Sequence, residues 1–350
     1  MVTVLVVLAA PAHGLAEPLT PCGKTKALLV SDSPIPVGPG GISRLHNLDY
    51  FATFVGPDAS GNAAALGVVT TDLICGSFAS PEKIHLYSGS VFTEPYPGLE
   101  PDGSTFVIVY VDGTTARLEE RTSGGAYTSP VAFQTGVASI TMDRIDDSLK
   151  RLTITIGDTT NSLYTRTVQT GDSSTWGTRF TTNFGSSAGS TGNNRRAAAA
   201  WTGNPDNRNE ALMVWPYILG GTGDRHIRYA INSDYNGDTG WGHARTLVSV
   251  PGKDLSDPQA FRWGNETRVY FMERDTQGGN TLAYVSSVDY GRTWSAPVNV
   301  RIPPVHHEKM TNMTALVLGK SRDGLYPVVL VGGLLPSTQQ YDLIAFEQGA

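Results

Sequence analysis

Six short apolar runs recur along this chain, at residues 51–55, 106–111, 152–156, 211–215, 269–272 and 327–331. Their starts lie 55, 46, 59, 58 and 58 residues apart. A unit of that size cannot bury its own apolar faces, so successive units must stack. A repeat near this length, built from strands and turns, predicts the blades of a β-propeller. Five of the runs are followed by a second strand, at 116–121, 163–168, 226–231, 282–286 and 343–346. Tyr127, Trp176, Trp241 and Trp294 then open a third. The last unit holds only two strands, while residues 26–30 form a strand left over near the N-terminus. Pairing that strand beside 343–346 closes the ring and removes exposed sheet edges. The expectation is therefore an all-β chain: a single six-bladed β-propeller of four-stranded antiparallel blades over residues 20–350, closed by pairing its N- and C-terminal strands. Five or seven blades are the alternatives. The 39 glycines and 21 prolines favour this turn-rich class over long helices.

One turn of the repeat is specified in unusual detail. Residues 287–294 read Ser-Val-Asp-Tyr-Gly-Arg-Thr-Trp, between strands at 281–286 and 295–300. Asp289 is suited to accept hydrogen bonds from turn amides. Gly291 supplies a backbone angle that most residues avoid, and Trp294 can bury a large ring behind the turn. The octapeptide resembles the Asp-box, or BNR repeat, of the sialidase-like β-propellers and related secreted glycan-binding proteins. The resemblance implies that Ser287, Asp289, Gly291, Thr293 and Trp294 are structural and sit on the outer rim, away from the central pocket. Looser relatives at 171–176 and 233–241 each keep an Asp and a Trp.

The formal net charge is −6 and no long basic run is present. That argues against nucleic acid or an anionic membrane surface as partner. Residues 1–16 are apolar and end on Gly14, Leu15 and Ala16, the pattern of a secretory signal peptide; a buried first strand is the alternative. No other stretch is apolar for long enough to span a bilayer. The chain is thus expected to be a secreted monomer with a carbohydrate ligand and no cofactor. In an exported protein, Cys22 and Cys75 could form one bridge.

The inner strand of each blade faces the central funnel. Inner strands are expected at 42–48, 84–88, 138–142, 197–201, 259–263 and 314–318, with Arg44, His85, Asp257, His306, Lys309 and Asn312 among the polar residues beside the funnel. Arg forks bind carboxylates in bidentate fashion, so an anionic or multi-hydroxyl ligand suits such a set. The sialidase-like resemblance implies particular roles. Arg44 would hold a carboxylate, Asp58 would be the proton donor, and Glu210 the general base or the group that orients a nucleophile. Arg225, 15 residues beyond Glu210, would be a second carboxylate-binding Arg, with Arg228 as the alternative.

Two departures stand against that carry-over. The third Arg of the family is missing at 280–284, and its nucleophilic Tyr is missing at 309–314. Three readings stay open: a sialidase-like glycoside hydrolase with an atypical site, a non-catalytic glycan-binding propeller, or a polysaccharide lyase using His85, His306 and Lys309. No metal is expected, because His306 and His307 are neighbours that would point to opposite faces of a strand.

Overall fold

A computed structural model describes residues 26–44, 50–70, 81–88, 91–99, 105–122, 124–146, 151–158, 163–168, 180–181, 197–207, 210–218, 225–233, 241–275, 279–318 and 327–348. Both cysteines, residues 1–16 and the turn at 171–176 lie outside them.

The described strands form six antiparallel sheets of four. The first holds β2 (Gly38–Arg44), β3 (Tyr50–Pro57), β4 (Ala63–Thr70) and β5 (Glu82–Leu86). The second holds β6 (Tyr96–Leu99), β7 (Phe106–Asp112), β8 (Thr115–Arg121) and β9 (Val131–Thr135). β10 (Val137–Asp146), β11 (Arg151–Asp158), β12 (Leu163–Val168) and β13 (Phe180–Thr181) make the third. β14 (Ala198–Trp201), β15 (Ala211–Ile218), β16 (Arg225–Asn232) and β17 (Arg245–Val248) make the fourth. The fifth is β18 (Asp254–Trp263), β19 (Glu266–Arg274), β20 (Asn280–Ser287) and β21 (Val298–Val300). The sixth joins β22 (Thr311–Leu318), β23 (Val328–Leu335) and β24 (Gln340–Glu347) to the N-terminal β1 (Lys26–Ser33).

The first strands of the sheets touch in succession, from β2 to β6, β10, β14, β18 and β22, and β22 touches β2 again. This is a closed β-propeller. β1 pairs with β24 through Lys26↔Phe346 and Ala27↔Ala345, so the expected closure by mixed termini is present.

All six apolar runs fall on second strands. Such a strand has a neighbour on each side in its own sheet and another sheet packed against each face. It therefore reads as continuously apolar rather than alternating, and every residue of β7 is buried. The core lies between sheets. Phe51, Ile84, Phe106 and Tyr110 fill the gap between the first and second. Leu212, Tyr229, Phe271 and Val285 fill that between the fourth and fifth, with Trp294 packed against them. Met272, Met313, Val329 and Phe346 fill that between the fifth and sixth.

β18 begins five residues before the expected 259–263, and two other inner strands also differ from expectation. β5, which contains most of 84–88, is the fourth and outermost strand of its sheet; the inner strand of the second sheet is β6, which reads Tyr-Pro-Gly-Leu. β2 begins four residues before the expected 42–48 and reads Gly-Pro-Gly-Gly at its start. Crowding at the axis explains both. A Cβ on Gly40 would lie 2.0 Å from the Pro95 carbonyl oxygen and 2.9 Å from that of Thr53. Backbones approach there so closely that glycine replaces the branched residues by which a strand is usually read.

Each inner strand starts at one end of the ring, the mouth, and finishes at the far end. Links between sheets, and turns between second and third strands, therefore lie at the mouth. Turns between first and second, or third and fourth, strands lie at the far end.

Candidate functional site at the mouth

The turn at 287–294 joins β20 to β21, at the far end and on the outside of the fifth sheet. Asp289 Oδ1 accepts from Ser287 Oγ (2.7 Å), Thr293 N (2.8 Å) and Arg292 N (3.1 Å), and Oδ2 accepts from Thr293 Oγ1 (2.5 Å). Burial alone would raise this carboxyl. The bonds from Thr293, Ser287 and Arg292 outweigh it and hold the pKa at about 2. Gly291 takes φ +87°, its amide donates to Ser287 Oγ, and the Trp294 indole meets Tyr229 edge-on at 5.8 Å.

Glu210 lies at that same far end, immediately before β15, and is buried. It accepts from Thr202 Oγ1 (2.8 Å) and from Arg292 Nη2 of the 287–294 turn (2.9 Å). Its expected place beside Arg225 is therefore corrected. Arg225 pairs with Ile218 and the residue after Glu210 pairs with Asn232. The length of β15 separates the two, about 23 Å at a strand's ~3.3 Å rise per residue. Glu210 ties the fourth sheet to the turn of the fifth.

Asp58 stands at the mouth, but as a turn acid. Its Oδ1 accepts the amides of Ser60 (2.9 Å) and Asn62 (3.0 Å), and these bonds lower its pKa. The carboxylate is tied into its own turn, at the opposite end of the ring from Glu210, so its expected place in one site with Glu210 is corrected too. Arg44 pairs with Tyr50 at the far end of β2, the length of β3 away from Asp58. The four residues do not converge.

His85, on outermost β5, is likewise displaced from the funnel. Its ring sits between the buried carboxylates of Asp112 (3.4 Å) and Glu119 (3.2 Å). Burial would raise Asp112, but hydrogen bonds from Ser88 and the adjoining His85 bring its pKa below the ordinary value.

The residues that do gather at the mouth surround the start of β18. Arg225 Nη1 donates to Asp254. Arg274 ends β19, donates from Nε to Ser256 Oγ (3.1 Å), and pairs through Nη2 with buried Asp257 (3.3 Å). It also reaches the Met313 carbonyl (3.4 Å). Asp257 (φ +52°) and Asn312 (φ +49°) are equivalent: each sits in a register shift just inside its inner strand. Such bulges re-aim side chains beside functional sites. Asn312 thus stands at the mouth end of β22 and is exposed.

A cleft of 570 Å³ opens beside this group, between the fifth and sixth sheets. Asn280, Thr281, Arg301, His307 and Lys309 supply its polar lining; Val300, Ile302, Met310 and Met313 are among its apolar residues. Asn280, its amide oriented by its neighbours, accepts from Met313 N (2.7 Å) and so joins the cleft to the mouth. Sequence reasoning missed Arg274 and Arg301. The signal for Arg274 was present: it closes the run Val-Tyr-Phe-Met-Glu-Arg, the second strand of its sheet.

Fold and site together define a β-propeller with a basic cleft at the mouth of its ring. No family model and no curated protein matches the chain. Solved structures do. An α-L-arabinanase from Penicillium chrysogenum matches at TM-score 0.58 and 13% identity, over 92% of this chain and 98% of that one. A Hadza microbial sialidase matches at 0.53 and 11%, over 89% and 66%. The BP39L lectin from Burkholderia pseudomallei matches at 0.50 and 13%, over 86% and 81%. At such identities the likeness is one of fold.

Proposed function

We propose that this chain is a six-bladed propeller of the Asp-box type that binds an acidic saccharide in the cleft between its fifth and sixth sheets. The observation that carries the reading is the cleft's charge. Its lining contains Arg301, Lys309 and His307 and, among the described residues, no carboxylate. A guanidinium fork and an ammonium suit a carboxylate or sulfate group, Asn280 and Thr281 suit hydroxyls, and Met310 and Met313 suit the C–H face of a sugar ring. Glycoside hydrolysis by the usual route needs two carboxyl groups flanking the scissile bond. Asp254 and Asp257, which stand at the mouth, are each engaged by an arginine. The shared fold with a lectin and two glycosidases supports a glycan ligand.

One observation favours a hydrolase instead. Burial raises the carboxyl of Glu273, next to Arg274, above its ordinary range, with Lys253 opposing, and a raised carboxyl is what a general acid requires. A panel of acidic and neutral oligosaccharides, followed for both binding and product mass, separates the readings. Binding of acidic members without new products is expected. Products that Glu273→Gln abolishes would replace the binding reading with the hydrolytic one.

A further inference from the structure

Asp342, near the start of β24, is fully buried, yet one of its oxygens has no hydrogen-bond partner among the described residues. Oδ1 accepts the Asp32 amide at 2.8 Å. Oδ2 is buried and unbonded. It faces His306 Nε2 at 3.4 Å, an approach that forms no hydrogen bond. The Asp32 carboxylate completes the group, and one ligand atom from each of the three residues lies within 4.8 Å of the others. A buried carboxylate oxygen left bare is costly, and two further ligand side chains are turned toward it.

We propose that Asp32, His306 and Asp342 bind one divalent transition cation of the zinc class, which clasps the N-terminal strand to the sheet that closes the ring. The donor set, one imidazole nitrogen and two carboxylate oxygens, suits zinc better than calcium or magnesium, which take oxygen alone. The geometry agrees. Tetrahedral zinc with bonds of about 2.1 Å separates its ligand atoms by about 3.4 Å, the spacing already present between His306 and Asp342. Asp32 and His306 are exposed; Asp32 Oδ2 accepts from Ser31 Oγ (2.6 Å), a surface bond that a rotation of either side chain exchanges for the cation, with water as the fourth ligand.

The backbone is arranged for this placement. Asp32 takes φ +55° within a register shift between β1 and β24. His306 and His307 take φ +46° and +69° in a tight turn closed by mutual Val305–Glu308 backbone bonds of 2.9 Å. Glu308 accepts the Ser337 amide (3.2 Å) and so fastens that turn to the β23–β24 hairpin. The two histidines diverge, as neighbours should: His307 lines the cleft, and His306 faces Asp342. The ligands come from β1, from the link into β22 and from β24. A cation there joins the two ends of the chain across the irregular part of the β1–β24 ladder, and ligand binding of this kind raises the stability of the folded state.

The test uses the full chain, stripped with EDTA and titrated with zinc against a chromophoric chelator, with thermal unfolding followed in parallel. Wild type is expected to take up one equivalent at micromolar or tighter affinity, with a midpoint that climbs as zinc is added. His306→Ala and Asp32→Ala change exposed residues. Both are expected to unfold like wild type without metal, to gain nothing from zinc, and to lose more affinity than the about 10–100-fold typical of removing a ligand's outer hydrogen-bond partner. Failure of wild type to bind zinc, undiminished binding by His306→Ala, or a response to calcium but not zinc would each overturn the proposal.

Discussion

Replacing Asp289 by alanine removes the acceptor that organises the 287–294 turn, and the structure sets the size of the loss. Four hydrogen bonds end on that carboxylate, two of them from the main-chain amides of Arg292 and Thr293. They hold its pKa at about 2 against an ordinary 3.8. Converted in full, that difference is about 2.4 kcal/mol. The turn is open to solvent, which screens the interaction and offers water to the stranded amides, so about 1–1.5 kcal/mol is expected. In a chain of this length that lowers the thermal midpoint by about 1.5–2 °C, at ~2.1 cal/mol/K of unfolding entropy per residue. The pH dependence has a definite sign. A carboxyl whose pKa is depressed by folding stabilises the native state above its unfolded pKa, and the contribution fades as pH falls through the folded value. The gap between wild type and Asp289→Ala should therefore be full at neutral pH, begin to close near pH 4, and be small at about pH 2. Calorimetry at several pH values reads this directly. A variant as stable as wild type at pH 7, or a gap that persists undiminished at pH 2, would refute the reasoning.

Gly40→Ala should lower the denaturant midpoint by about 1–3 kcal/mol in stability, because the new methyl meets the backbone oxygens of Pro95 and Thr53 rather than a side chain that can move. Glu210→Gln should cost about 1–2 kcal/mol by weakening the bonds to Thr202 and Arg292, while saccharide affinity of the folded protein stays at the wild-type value. Asp58→Asn should leave affinity and any turnover unchanged, which a binding titration and product analysis would check together.

The architecture was legible because it depends on burial. Second strands packed on both faces must be apolar along their whole length, and all six were visible as runs. The leftover strand at 26–30 and the short last unit gave the closure. Inner strands such as β6 were hidden because close approach at the axis selects glycine and proline over β-branched residues. The site was harder for a different reason. Which end of a blade a residue occupies depends on which strand carries it. Glu210 and Arg225, 15 residues apart, look adjacent in sequence but flank the two ends of one strand. Taking β5 as an inner strand put His85 in the funnel, when it lies on the outer side of the first sheet between two acids. The link between Asp32 and Asp342 exists only once the ring has closed, so no local pattern could announce it.

The central claim is that the cleft between the fifth and sixth sheets recognises an anionic sugar by its charge. Isothermal titration with a hexuronate oligosaccharide and its carboxyl-reduced counterpart, at low and high salt, tests it most directly. Wild type should bind the acidic sugar, lose affinity as salt screens the contact, and bind the reduced sugar weakly. Arg301→Ala combined with Lys309→Ala should abolish the preference, while unfolding stays at the wild-type midpoint because both side chains are exposed. Equal affinity for the two sugars, or a double variant that still prefers the acid, would contradict the account.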